Sequence, residues 1–358
     1  MAPCRFRRSC VIAFAAVLLG GGSLPAAPVL LVGEKTGSAL SIIDPEGGKV
    51  VGRVAISPNP HEVATDGTHA YISHPNRPAI TVVDIAARKE LAPIELGSLG
   101  PCHGLWYAAG KLFFANEGAR TIGRYDLATG KIDWVMGMGF SSHMLMTSPD
   151  GQTVFVPGAP ASLSLVEYKV NPVPPAPRRA IPWATTSAQA ADPNRPRTPV
   201  ANRGPAVPRP EWITTTLPAG AGIEGIDVSP DGKELWGINV QDRTITVVDI
   251  GAKAVKATIP LRRDFSNRIR FTPDGRHVFV SELNGSEVLV LDAVTHAEVK
   301  RIEVGGGHEG ISMHPDGTRA YVAIALQDKI TVVDLKTLTV IGEIAGMSTP
   351  DGMAWTKN

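Results

Sequence analysis

From residue 28 onward, apolar and polar positions alternate in short β-branched runs. Clear examples are Ile80-Thr81-Val82-Val83-Asp84, Thr244-Ile245-Thr246-Val247-Val248-Asp249, Glu287-Val288-Leu289-Val290-Leu291-Asp292 and Lys329-Ile330-Thr331-Val332-Val333-Asp334. A period of two over five or six residues describes a strand with one face buried, and it leaves no 3.6-residue apolar stripe for a helix. A second phrase recurs between these runs: Ser148-Pro149-Asp150-Gly151, Ser229-Pro230-Asp231-Gly232, Thr272-Pro273-Asp274-Gly275 and His314-Pro315-Asp316-Gly317, with shorter forms at Asp66-Gly67 and Ala109-Gly110. Each reads as a tight turn, Pro setting φ and Gly supplying the positive φ. The turn glycines 67, 110, 151, 232, 275 and 317 are spaced by 43, 41, 81, 43 and 42 residues. A period near 42 with one doubled interval indicates a propeller or a solenoid.

One period holds four strands. They run Gly225 to Val228, Glu234 to Ile238, a third ending at Asp249, and Val255 to Pro260. Four antiparallel strands per period make a propeller blade, so the fold class is all-β. Blades 2 to 7 start near His61, His103, His143, Glu224, Asn267 and Glu309. The N-terminal part offers three strands (Val29 to Val32, Ala39 to Asp44, Val50 to Ile56), and the C-terminal part ends in one, Gly352-Met353-Ala354-Trp355. Together they complete a seventh blade, and their pairing is expected to close the ring and remove its free edges. A right-handed parallel solenoid would not divide its ends three and one.

Two segments stand outside this pattern. Residues 1–27 carry Arg5, Arg7 and Arg8, then an apolar run from Val11 to Leu19 and a Gly/Ser/Pro stretch ending at Ala27. That is the signature of a secretory signal peptide, and a periplasmic or secreted location is expected. Cleavage there would take 35 basic against 34 acidic residues to 32 against 34, and would remove Cys4 and Cys10, leaving Cys102 alone. No general attraction to nucleic acid follows from such a balance, and no intrachain disulfide is possible. No run is long enough to span a membrane, and a monomer is expected. The doubled interval contains residues 171–212, with 11 of the 30 prolines and six Arg against Asp192 and Glu211. It reads as a disordered Pro/Arg-rich insertion between the third and fourth strands of blade 4, in a domain running from 28 to 358.

Aligning the innermost strands places one residue per blade at the funnel: His61, His103, His143, Glu224, Asn267, Glu309 and Asp351. All are polar, and three His fall in consecutive blades although the chain has only nine. His61, His103 and His143 together suit a nitrogen-rich metal site for Zn²⁺ or Cu²⁺, and the oxygen-bearing positions suit the harder Ca²⁺. A wet polar funnel for a small molecule or a protein partner needs no ion at all. Arg262, Arg263, Arg268 and Arg270 read as a solvated cluster beside Asp264, and Cys102 as a small buried residue between blades. Haem-attachment, nucleophile-elbow, zincin and phosphate-loop motifs are absent from the sequence.

The phrases Ser229-Pro230-Asp231-Gly232-Lys233 and Thr-Val-Val-Asp at 246–249 and 331–334 resemble those of YVTN-type β-propeller proteins, over the whole mature chain except 171–212. The resemblance implies the fold more than an activity, since that group includes proteins similar to lactonases and to the nitrous oxide reductase propeller. Four of the seven hub positions here are not His, which departs from the fuller His set of that reductase. The leading expectation is a secreted binding or scaffold propeller whose funnel takes a small polar ligand or a metal ion. A metal-assisted hydrolase or lyase of lactonase type is the alternative.

Overall fold

The computed structural model describes residues 28–170, 210–262 and 266–356. It is a seven-bladed β-propeller in which every blade is an antiparallel sheet, accompanied among the described residues by two short 3₁₀ turns at Gly97–Leu99 and Ala325–Gln327. Blade 1 takes its innermost strand, Pro350–Trp355, from the C-terminal part of the chain. That strand pairs with Leu30–Glu34 in the register Leu30 to Trp355 and Leu31 to Ala354, and Ala39–Asp44 and Lys49–Ala55 complete the sheet.

The repeated phrases do in the structure what their chemistry dictates. In the Pro-Asp-Gly turns, Gly151, Gly232, Gly275 and Gly317 take φ of 66°, 73°, 72° and 75°. The Asp Oδ1 before each accepts the backbone N–H two residues on, as Asp231 does from Lys233 at 3.1 Å and Asp316 from Thr318 at 2.8 Å. The Asp that closes the third strand in every blade but the fourth accepts from a backbone N–H two or three residues on: Asp334 Oδ1 does so from Lys336 and Thr337 at 3.0 and 2.7 Å. Carboxylate at these points satisfies donors that the ladder leaves free, and so fixes the hairpin register.

Apolar faces pack blade on blade. Trp236, Val247, Ile269, Val280 and Leu289 share one buried cluster between blades 5 and 6, and Leu30, Val32, Tyr321 and Val332 share another between blades 7 and 1. Each such aliphatic side chain contributes about 1.5–3 kcal/mol on full burial. Cys102 is fully buried among the apolar residues joining blades 2 and 3, and burial pushes its thiol up to about 12.

Local chemistry bends the pattern in two places. In blade 2 the outermost strand is split into Lys89–Glu90 and Ile94–Glu95, because Pro93 has no N–H to give the ladder. In blade 4 the innermost strand is reduced to Met146–Thr147, while the third and fourth run long, Ser162–Val170 against Pro210–Pro218, with Val170 opposite Pro210. The fourth strand therefore begins two residues before Trp212, within the stretch expected to be insertion. The remainder of that insertion, 171–209, and the leader, 1–27, lie outside the described residues.

Candidate functional site

At the hub, the residue at the start of each innermost strand is followed by a position that alternates around the ring. Gly104, Gly225, Gly310 and Gly352 occupy it in blades 3, 5, 7 and 1. A Cβ added to the last three would lie closer than 3.0 Å to the carbonyl oxygen of Asn267, Asp351 and His61 respectively; on Gly104 it would meet the Cα of Met144 at 2.9 Å. Only glycine lets neighbouring inner strands approach this closely. Blades 2, 4 and 6 carry Glu62, Met144 and Arg268 instead, and these three side chains meet. Arg268 Nη2 donates to Glu62 Oε1 at 2.6 Å, its Nη1 lies 3.3 Å from Met144 Sδ, and its Nε donates to the Glu309 carbonyl at 2.9 Å. The guanidinium of blade 6 thus reaches across the hub to blade 2 and forms the floor of a polar cup.

His61 and His103 stand together in this cup, with Nε2 atoms 3.0 Å apart and ring centroids 3.8 Å apart. His61 Nδ1 faces Asp351 Oδ2 at 3.1 Å and Glu62 Oε1 at 3.4 Å. These are charge-range approaches rather than hydrogen bonds, for His61 Nδ1 and both Asp351 carboxylate oxygens are buried without a hydrogen-bond partner. Atoms of His61, Glu62 and His103 that can ligate a metal lie within 4.8 Å of one another. Burial, reinforced by His61 and His143, pushes the His103 pKa far below the ordinary imidazole value, so this ring is neutral. Its Nδ1 is buried without a hydrogen-bond partner.

His143 stacks on His103 at a centroid distance of 3.5 Å, yet its nitrogens face elsewhere: Nδ1 lies 3.5 Å from Glu117 Oε2 and Nε2 lies 3.3 Å from Glu224 Oε1. Burial lowers its pKa, but hydrogen bonds and charge from Glu117 and Glu224 outweigh this and raise it to about 9. At neutral pH it is an imidazolium with both N–H groups directed at carboxylates. For Glu62, the burial penalty is outweighed by Arg268 and His61, which hold its carboxyl well below the usual range.

The structure therefore brings His61 and His103 together, with His143 as a charged plate behind them and Glu224 tied to that plate. Lys35 Nζ holds Glu309 and Asp351 at 3.2 Å each. Asn267 turns into the seam between blades 6 and 7, where its Oδ1 accepts from Ser281 Oγ at 2.8 Å. Arg268, expected at the surface with its neighbours, is 7% exposed and belongs to the cup; Arg270 pairs loosely with Asp227 at 3.7 Å, and Arg263 lies outside the described residues. Glu62 and Met144 escaped the reading of the sequence and Arg268 was assigned to the surface, although the alternation of glycine with bulky residues after each hub position was there to be seen. Five carboxylates (Glu62, Glu117, Glu224, Glu309, Asp351) face three cations (Arg268, Lys35, protonated His143), which leaves the cup two negative charges.

No family model matches the chain. Antigen Lp49 of Leptospira interrogans is 28% identical over 101 residues, a stretch spanning 28% of this chain and 22% of that protein. Among solved structures, a candidate 6-phosphogluconolactonase from Bacteroides uniformis superposes with a TM-score of 0.67 at 15% identity, covering 92% of this chain and 100% of that one. Kuenenia stuttgartiensis hydrazine synthase gives 0.66 at 17% identity, covering 86% and 92%. At these identities the likeness is one of fold.

Proposed function

We propose that this chain is a secreted binding propeller whose hub takes a divalent transition-metal ion between His61 and His103, and that its repeats are of the YVTN type. One observation carries the metal reading: the two Nε2 atoms are 3.0 Å apart, in a group where ligand atoms of His61, Glu62 and His103 all lie within 4.8 Å of one another. With metal–nitrogen bonds of about 2.0–2.1 Å, nitrogens at that separation subtend about 91–97° at a shared ion. This is a cis angle of square-planar or octahedral coordination, and a parting of a few tenths of an ångström reaches the tetrahedral angle. The two residual negative charges of the cup match the charge of such an ion. Loading moves the proton that bridges the two Nε2 atoms onto the Nδ1 of the ring that carries it, a tautomer change with no change in charge. His61 and His103 would hold the ion, Asp351 and Glu62 orient His61 from behind, and His143 keeps His103 unprotonated.

Elemental analysis of the purified mature protein, followed by melts with Zn²⁺, Cu²⁺ and Ca²⁺, tests this reading. Zn²⁺ or Cu²⁺ at a hundredfold excess over the dissociation constant is expected to stabilise the fold by about 2.7 kcal/mol, and His103→Ala to abolish the effect. Melts indifferent to every ion would refute the reading. Turnover of a lactone panel that a chelator abolishes would replace it with a metal-assisted hydrolase, in line with the activity named for the Bacteroides relative. N-terminal mass analysis of protein from cell fractions tests secretion, with a start near Ala27 outside the cytoplasm as the expected result.

A further inference from the structure

We infer that Arg268 is the specificity-determining residue of this hub: by occupying Glu62 and crowding Asp351, it turns a carboxylate-rich cup into a nitrogen site that rejects Ca²⁺ and Mg²⁺. The inference rests on the metal reading above and adds which ions the site takes.

The argument begins with an imbalance. Five carboxylates around two imidazoles would by number alone favour a hard cation, because Ca²⁺ takes six to eight oxygen ligands. The most deeply placed of them are not free to serve. Glu62 Oε1 is held by Arg268 Nη2 at 2.6 Å, and Asp351 Oδ1 lies 3.8 Å from the same nitrogen. Lys35 takes Asp351 and Glu309 from the other side, and His143 takes Glu117 and Glu224. The Asp351 oxygens have no hydrogen-bond partner but stand between two fixed cations, Lys35 and Arg268, whereas the two imidazole Nε2 atoms face only each other at 3.0 Å, and such nitrogens suit Zn²⁺, Cu²⁺ and Ni²⁺. Arg268 is the key member because the rest of the cup fixes it as well. Its Nε is bound to the Glu309 carbonyl and its Nη1 lies against Met144 Sδ, so it cannot swing aside to release Glu62 without losing three contacts. A lysine, with one rotating ammonium, could not hold blades 2, 4 and 7 at once.

Arg268→Met in the full mature chain is the informative variant, since it keeps an unbranched stem as far as the position of Nε while removing the guanidinium and its charge. Wild type is expected to be stabilised by Zn²⁺ and Cu²⁺ and to ignore Ca²⁺ at millimolar concentration. The variant is expected to gain at least tenfold in apparent Ca²⁺ affinity, and its Cu²⁺ electron paramagnetic resonance spectrum to shift from nitrogen-dominated toward mixed oxygen and nitrogen coordination. Arg268→Lys should show the smaller gain. A residue that only braces the fold would move none of these readouts. Zn²⁺ binding in Arg268→Met with no Ca²⁺ gain and an unchanged Cu²⁺ spectrum would overturn the inference and leave the metal reading intact. A wild type that ignores Zn²⁺ and Cu²⁺ would overturn both. If Arg268→Met does not fold, competition on wild type decides. Ca²⁺ that displaces Zn²⁺ at equal concentration would show that the carboxylates are available as ligands and sink the idea. Zn²⁺ occupancy unchanged under about a hundredfold excess of Ca²⁺ would support it.

Discussion

Gly352→Ala perturbs the hub through a single carbon atom. The added Cβ would lie within 3.0 Å of the His61 carbonyl oxygen and 2.9 Å from the Glu62 Cα. Both are backbone atoms, so no change of rotamer relieves the overlap. Either blades 1 and 2 part at their inner edge or the backbone at His61 turns. Overpacking costs about 1–3 kcal/mol, and the upper figure applies here because no flexible side chain can give way. The matched control is Gly342→Ala on the exposed outermost strand of blade 7, where a Cβ meets nothing within 4 Å. That substitution should leave stability level or raise it by about 0.4–1 kcal/mol through the unfolded chain. Urea unfolding of both variants, with and without Zn²⁺, is the assay. Gly352→Ala is expected to lose about 3 kcal/mol and most of the zinc-dependent increment as well, since the atom that must move belongs to His61. A midpoint equal to wild type would show that the glycine contacts do not set the blade spacing. A destabilised variant that keeps the full zinc increment would show that blade spacing does not position the imidazoles.

Two further outcomes follow from the ion pairs and turns. Asp66 accepts from the N–H groups of Thr68 and His69 at 2.8 and 2.7 Å and from Tyr71 Oη at 2.8 Å, and these bonds outweigh its burial penalty to bring its pKa down to about 2. A folded-state value below the unfolded one stabilises above pH 3.8 and fades as the pH falls toward 2. Asp66→Asn should therefore cost about 1–2 kcal/mol at neutral pH after allowance for solvent screening, and a gap from wild type that fails to narrow between pH 4 and pH 2 would contradict the assignment. Glu34 is fully buried, accepts from Arg53 Nε and Nη2 at 2.9 and 3.0 Å, and takes the Ser348 N–H at 2.9 Å, joining the first strand to the segment before the last. Glu34→Ala is expected to cost about 3–5 kcal/mol in urea unfolding, and a loss below 1 kcal/mol would mean that this junction does not hold blade 1 together.

The blades were legible because a strand and its turn are local. Alternation at 244–249 and the phrase at 229–232 each carry their own physical reason, and neither needs knowledge of the rest of the chain. The hub residues at strand starts were legible for a related reason, since a repeat brings equivalent positions to one place whatever occupies them. What each side chain does there depends on neighbours far away in sequence. Asn267 sits at a hub position but finds Ser281 in its own blade, and Arg268, one residue on, finds Glu62 from 206 residues away. Charge composition near 262–270 suggested a surface cluster because nothing in that stretch says that the guanidinium at 268 points inward. That follows only from the glycines of blades 5 and 7, which bring the flanking inner strands close and leave the space over the hub to blade 6.

The parity of the ring explains the remaining part of the cup. Glycine and bulky residues can alternate perfectly only around an even number of blades, and seven is odd. Two neighbours of one kind must therefore fall side by side, and here they are the glycines Gly310 and Gly352, in blades 7 and 1. With no side chain from either position, the space at that seam is filled from the loop after the first strand. Lys35 enters there, its backbone N–H bonded to the Thr349 carbonyl at 3.0 Å and its ammonium set between Glu309 and Asp351. Burial works against its charge, but the two carboxylates more than compensate and raise its pKa. The seam where the two ends of the described chain meet is thus also where the cup acquires its second fixed cation, and blade closure and hub electrostatics follow from one arrangement of glycines.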